Sequence, residues 1–264
     1  MKYQHVKSLF KYKVINEKLL STLKQGKIYA PVIEQLNDPL ESHMYISGNY
    51  EKQNEMNNIF ENYNKEVWNE ISNKKYTTNK QMIDTIKNYS YENNFYIPSL
   101  FEKQNEVKLK TLVNKVISSY GVISFSVDNH SLLMWSHYGD SHKGICIEFE
   151  RSVSNILGES DKCFPIQYSS FIKEIEYSNN RNIITEIFKS KSDVWSYEKE
   201  WRLILRDGKM LVDFPGEIKA VYFGLKTTDE DIKKIKNIFK YHIKYYKAYV
   251  VPNYYKIDYK EIRD

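Results

Sequence analysis

The amino-acid sequence predicts an α+β protein: one mixed or antiparallel β-sheet core carrying a helical insertion. Two patterns in the 264 residues predict it. Short runs rich in β-branched and aromatic side chains, at 9–14, 122–127, 145–149, 201–205, 219–223 and 243–251, are bounded by polar or glycine-containing turns. Between 51 and 117 the apolar spacing changes to three and four residues, as a helix requires. No internal repeat or low-complexity linker divides the chain, so residues 1–264 read as a single domain with 51–117 inserted into it.

The elements follow in order. Residues 9–14 form a short strand. Asn16 is a helix N-cap, Leu19, Leu20 and Leu23 give the buried stripe, and Gly26 stops the helix. Residues 27–30 are extended, and Asn37-Asp38-Pro39 is a turn. In the insertion, Met56, Ile59, Phe60, Tyr63, Val67 and Ile71 mark one helix, Met82, Ile83, Ile86 and Tyr89 a second, and Leu109, Leu112, Val113, Val116 and Ile117 a third. Gly121 ends the last, and 122–127 alternates as a strand. Residues 132–138 make one or two helical turns, Gly139 and Gly144 bracket a loop, and a strand follows at 145–149. Residues 166–168 are extended, Ile183, Ile184, Ile187 and Phe188 suggest a helix, and strands return at 201–205 and 219–223. Thr228 caps a helix, with Asp231 three residues on, whose buried face is Ile232, Ile235, Ile238 and Phe239; the strand 243–251 comes after it.

Composition narrows the function classes. Hydrophobic residues make up 41% and charged residues 28%, which suits a packed globule and argues against disorder. Two cysteines fit a reducing compartment, no apolar h-region opens the chain, and no run approaches a membrane span, so a cytoplasmic protein is expected. A net charge of +5 is compatible with an anionic ligand, a nucleotide or a nucleic acid. P-loop, dinucleotide-fingerprint and nucleophile-elbow motifs are absent, which lowers the kinase, Rossmann and α/β-hydrolase readings.

Four segments could carry chemistry. The densest is 133–144, with Trp135, His137, Tyr138, Asp140 and His142 between glycines. Its plain reading is a tight turn fastened by His137 and Tyr138 while Trp135 fills the core. A zinc site is weakly signalled, because His137 and His142 are five residues apart and share no helical face. The second is 195–205. Extended, it puts Glu198, Glu200 and Arg202 on one face, either as an ion ladder on an edge strand or as carboxylates entering a buried site. The third, 37–41, is a turn first, although Asp38 and Glu41 could point into one cleft. Lys13 on the first strand is a lone cation. The lysine- and tyrosine-rich stretch 233–249 reads as a solvated helix and strand, or as a base-stacking surface.

In 9–13, 26–29, 37–41, 133–149 and 195–205 the chain resembles a widespread bacterial family of unknown function, and the resemblance runs from near Ser8 to near Leu225. The order of features is also similar to ADP-ribosyltransferases of the Arg–Ser–Glu type. Lys13 takes the place of the basic residue on the first strand, Ser124-Phe125-Ser126 that of the Ser-x-Ser strand, and Glu198-Lys199-Glu200 that of the Glu-x-Glu before an apolar strand. The lysine, the phenylalanine and the long insertion depart from that pattern. The resemblance implies a split-sheet, ADP-ribosyltransferase-like fold and NAD as substrate, with no metal. Cleaving the nicotinamide–ribose bond develops positive charge on the ribose, which a carboxylate stabilises. In this scheme Glu200 is that carboxylate and Glu198 orients or deprotonates the acceptor. Ser124 and Ser126 position the ribose or Glu200, Lys13 meets the pyrophosphate, Tyr12, Trp135 or Tyr138 stacks on a ring, His137 and Asn37 are polar wall contacts, and Arg202 completes the nucleotide-binding set. The acceptor is water, a protein or a nucleic acid, and a toxin or antiphage effector is the expected biology. Two rivals stand beside this: a nucleotide- or peptide-binding module in which Glu198 and Glu200 merely pair with Arg202, and a metal-dependent nuclease or hydrolase using Asp38, Glu41, His137 and Asp140.

Overall fold

The computed structural model describes residues 3–40, 45–47, 114–172, 174–176, 183–239 and 243–262. The predicted insertion therefore lies, up to residue 113, outside the described residues, as does Glu41.

The strands are β1 (Ser8–Lys13), β2 (Lys27–Ala30), β3 (Tyr45–Ser47), β4 (Gly121–Ser126), β5 (Ile145–Glu150), β6 (Cys163–Pro165), β7 (Gln167–Ser169), β8 (Glu174–Glu176), β9 (Ser190–Ser192), β10 (Glu200–Leu205), β11 (Met210–Asp213), β12 (Ile218–Phe223), β13 (Lys244–Val250) and β14 (Ile257–Glu261). Among the described residues the α-helices are α1 (Glu17–Lys24), α2 (Leu132–His137), α3 (Ile183–Lys189) and α4 (Asp229–Phe239), residues 114–117 are also helical, and a 3-10 helix spans Asp193–Glu198. Eight strands form one sheet in the order β14-β13-β12-β5-β1-β4-β10-β6. Its pairs are antiparallel except β12 with β13, which are parallel. The α+β, mostly antiparallel character read from the sequence is thus what forms.

Local chemistry explains the elements that frame the site. Asn16 accepts from the Leu19 amide at 2.8 Å, opening α1, and Gly26 leaves it at a φ of +68°, where a side chain would be strained. Thr228 accepts from the Asp231 amide at 3.2 Å and opens α4. Ser131 caps α2 by accepting from the Met134 amide. The larger core takes Leu9, Ile123, Phe125, Ile147, Phe149, Trp201, Leu203, Val221 and Phe223 from the sheet, with Leu19, Leu20 and Leu23 of α1 and Ile235 of α4. Side chains alternate along a strand. With Ile123, Phe125, Trp201 and Leu203 facing that core, Ser124, Ser126, Glu200 and Arg202 face the other way. There Tyr12, Met134, Trp135, Cys146 and Ile257 form a second, smaller apolar cluster under α2.

One junction in the sheet is weak. β1 pairs with β5 at every residue from Ser8 to Lys13, but with β4 only at Phe10–Ser126. The site opens there.

Candidate functional site: a buried ion cluster where two strands part

The 3-10 helix Asp193–Glu198 ends at Lys199, whose φ of 45° is left-handed, and β10 begins at the next residue. The sequence, read as extended throughout, offers either an ion ladder on an edge strand or carboxylates entering a buried strand; the carboxylates are buried, but the segment is not extended throughout. Instead the chain turns at Lys199, and β10 runs between β4 and β6 with its first five residues buried. The turn is latched to β4: the Ser126 hydroxyl donates to the Glu198 carbonyl at 2.6 Å and accepts from the Asp128 amide at 3.0 Å. The Tyr168 hydroxyl accepts from the Glu200 amide at 2.7 Å on the other side.

This geometry brings both carboxylates to one ammonium. Lys191 Nζ on β9 lies 2.5 Å from Glu198 Oε2 and 2.9 Å from Glu200 Oε2. Arg202, two residues along β10, reaches back to Glu200 with Nε at 2.8 Å from Oε1 and a terminal nitrogen at 3.1 Å from Oε2; its other terminal nitrogen donates to the Phe188 carbonyl at 3.1 Å. Glu198 and Glu200 are 3% exposed and Arg202 0%. Unpaired charges could not stay ionised there. Burial alone pushes the Glu200 carboxyl up. The Arg202 charge and then the Lys191 charge, with hydrogen bonds from Arg202 and Ser124, outweigh it and hold the group at about 2.

Tyr138, the residue that ends α2, donates its hydroxyl to Glu198 Oε1 at 2.5 Å and accepts from Asn37 Nδ2 at 2.9 Å. Burial, then the bond to Glu198, pushes its phenol above the ordinary range, so it acts as a neutral donor. Lys11 enters from β1. Beyond the single Phe10–Ser126 pair, the Ser124 carbonyl accepts from Lys11 Nζ at 2.5 Å, so a side chain fills a place in the ladder that an amide would otherwise take. Burial first, and the neighbouring Lys13 charge second, bring the Lys11 amine down to about 7. Lys191 acts in the same sense, and Glu200 and Glu198 oppose it.

These groups wall a pocket of about 240 Å³, lined by Phe10, Lys11 and Tyr12 of β1, Gln35, Leu36 and Asn37, Ser124, Phe125 and Ser126 of β4, Met134, Tyr138, Lys191, Glu198 and Glu200. Of the residues singled out in the sequence, Tyr12, Asn37, Ser124, Ser126, Tyr138, Glu198 and Glu200 come together here. Four others lie elsewhere. Lys13 pairs with Ile145 in the β1–β5 ladder and is not in the lining, whereas Lys11, two residues earlier, is. Trp135 is 0% exposed and part of the second apolar cluster, with its indole donating to the Asn129 carbonyl at 3.0 Å and the Tyr259 hydroxyl at 2.9 Å. His137 is exposed, with Nδ1 2.9 Å from the Tyr197 hydroxyl. Arg202 sits behind Glu200, outside the lining.

Lys11 and Lys191 were missed. For Lys11 a signal existed: strand alternation puts it on the same side as Lys13, and only the register of β1 against β4 chooses between them. Lys191 stands alone between two serines, and its role depends on long-range pairing that no local pattern carries. Among the described residues no three of His, Cys, Asp and Glu are grouped to hold a metal ion, and the Asp38 carboxylate turns back to the Leu40 amide at 2.9 Å. No described helix is long and apolar enough to cross a membrane.

Residues 134–203 match the family model described as a protein of unknown function (DUF2971). The match covers well under half of the 264 residues, less than the resemblance from Ser8 to Leu225 suggested. No curated protein and no solved structure matches the chain. The DUF2971 span runs from α2 into β10 and so contains Tyr138, Lys191, Glu198, Glu200 and Arg202. Lys11, Asn37, Ser124 and Ser126 come from outside it.

Proposed function

We propose that the pocket binds an N-glycoside, with NAD the first candidate, and transfers its ribosyl group to an acceptor or to water. The observation that carries this reading is the convergence of Glu198 and Glu200 on one ammonium, in a pocket walled by Ser124 and Ser126 of the neighbouring strand. The strand of the basic residue, the Ser-x-Ser strand and the strand that the Glu-x-Glu leads into are neighbours in the order β1-β4-β10, and Phe10, Ser126 and Glu200 are in register across them. Departure of nicotinamide leaves an oxocarbenium-like ribose, and a fixed carboxylate stabilises that charge without reorganising.

Partner chemistry divides the labour between the two carboxylates. Both Glu200 oxygens are engaged by Arg202, so Glu200 supplies permanent negative charge and anchors Lys191. Glu198 accepts one hydrogen bond at each oxygen, from Tyr138 and from Lys191, which fixes the carboxylate and leaves each oxygen able to accept another from a ribose or acceptor hydroxyl, and it is the group that meets the ligand. The test is nicotinamide release from NAD, followed by chromatography. Release above a protein-free control, cut at least about a hundredfold in Glu198→Gln, supports the reading; no release by the wild-type chain overturns it.

The complete pairing of Glu200 favours a second reading, a module that binds a nucleotide and does not turn it over. Calorimetric binding of NAD with no nicotinamide released selects it.

A further inference from the structure

Lys11 is the charged group in the pocket that the ion cluster leaves out. Its Nζ has one hydrogen-bond partner among the described residues, the Ser124 carbonyl, and no described carboxylate lies within ion-pair distance of it. Both carboxylates of the pocket are already held, Glu198 by Lys191 and Tyr138, Glu200 by Lys191 and Arg202. The amine lies over the Phe125 ring, 5.8 Å from its centroid, in a lining that also holds Phe10, Tyr12 and Met134. A primary amine in an apolar-walled hollow beside other cations is the setting in which lysine loses its proton and becomes a nucleophile.

We propose that Lys11 is a reactive amine that adds to the aldehyde carbon of a small polyhydroxy compound in this pocket, an open-chain sugar or a sugar fragment whose hydroxyls the Gln35, Asn37 and Glu198 side chains of the lining can meet. The Nζ lone pair forms a C–N bond as the carbonyl π pair moves to oxygen, and one amine proton follows to that oxygen. The carbinolamine then loses water, which carries away the oxygen and the second amine proton, and leaves an imine. No oxidant or further reactant is needed. The groups facing Lys11 set its protonation: Lys13 on its own strand and Lys191 on β9 disfavour the ammonium; Glu198, Glu200, the Ser124 carbonyl and the Phe125 ring favour it; and burial, the largest effect, tips the balance toward the neutral amine and brings Lys11 down to about 7. Exposed lysines are almost wholly protonated at pH 7.

This chemistry does not require that an N-glycoside be cleaved, and its test is separate from nicotinamide release. The folded wild-type chain is incubated with glyceraldehyde and sodium cyanoborohydride at pH 7, and adducts are located by peptide mass spectrometry over time. The Lys11 adduct is expected to form at least about ten times faster than adducts at the exposed Lys24 and Lys143. That advantage should shrink as the pH is raised toward 10 and the surface amines lose their protons too. Modification of Lys11 no faster than that of Lys24 and Lys143 at pH 7 overturns the proposal. Because the unmutated protein is used, a folding defect cannot imitate either result.

Discussion

Two regions with the same kind of sequence end in opposite states. The stretch 133–144 and the stretch 193–202 are both crowded with aromatic, basic and acidic residues. In the first, the loop is closed by bonds to backbone, and only Trp135, His137 and Tyr138, in α2 and at its end, also reach other side chains. Trp135 donates to the Asn129 carbonyl, the amides of Ser141, His142 and Gly144 close on the carbonyls of Ser136, Trp135 and Gly139, and Asp140, Ser141 and His142 sit consecutively in the left-handed region. The His142 ring stacks on Trp135 with planes 14° apart. In the second region, side chains hold side chains: Lys191, Glu198, Glu200 and Arg202 satisfy one another, and all but Arg202 line the pocket. Density of reactive residues therefore says little about availability. A group tied to backbone is part of a wall, whereas a group held by another side chain can exchange that partner for a ligand.

The sharpest way to break the comparison is Arg202→Met. It leaves Glu200 in a buried site with one cation fewer and should cost about 3–5 kcal/mol in urea unfolding. A second change, Glu200→Gln, should return part of that loss. Acid provides the same test without mutation. The folded value of Glu200, about 2, lies below its ordinary 4.5, so its contribution is complete above pH 4.5 and is lost as the pH falls toward 2. In Arg202→Met the folded value rises, and the extra acid sensitivity of that window shrinks. If Arg202→Met costs under about 1 kcal/mol, water reaches the cluster and the contrast between the two regions fails.

Gly144→Ala attacks the other region. A Cβ there would stand 2.2 Å from the Lys13 carbonyl oxygen and 3.0 Å from that of Gly139, both backbone, so strand β1 or the loop must shift. We expect a loss of about 1–3 kcal/mol in thermal or urea unfolding, with Lys11 keeping its reactivity toward glyceraldehyde in the folded fraction. A folded variant with altered Lys11 chemistry would mean that the loop tunes the pocket.

Much of the frame was legible in the sequence because it rests on local rules. Asn16 and Gly26 bound α1, Thr228 opens α4, and β4, β5 and β12 are marked by short apolar runs that the sheet buries on both faces. Strands β3, β6, β8, β9, β11 and β14 were missed, since very short or polar edge strands carry no periodicity of their own and exist only because a neighbour pairs with them. At the site, Glu198, Glu200 and the two serines stood out by spacing. The left-handed turn at Lys199 did not, because a lysine gives no hint of positive φ. Nor did the choice of Lys11 over Lys13, which is a matter of register between strands that 107 residues of chain separate.

Trp135→Phe has a smaller expected effect than its burial suggests. The indole N–H is lost, yet the Asn129 carbonyl still accepts from the Tyr259 hydroxyl, so no acceptor is orphaned. The cost should be about 1–2 kcal/mol, seen as a lowered urea midpoint with an unchanged slope. A loss near 4 kcal/mol would mean that ring volume, not the hydrogen bond, holds the loop.

Tyr138→Phe is the mildest change and the most informative, because Tyr138 ends α2 in the first region while its hydroxyl reaches Glu198 in the second. The ring stays, Lys191 still holds Glu198, and Asn37 can turn to water, so stability should fall by about 1 kcal/mol or less. Glu198 loses the neutral donor that fixes its Oε1, and the proposed ribosyl transfer should drop by about tenfold or more. Comparing the two readouts assigns the residue. If stability falls by several kcal/mol while turnover per folded molecule holds, Tyr138 is a fastener of the loop and its bond to Glu198 is incidental. If turnover falls with stability nearly intact, the pocket has borrowed the end of α2 to hold a carboxylate in place.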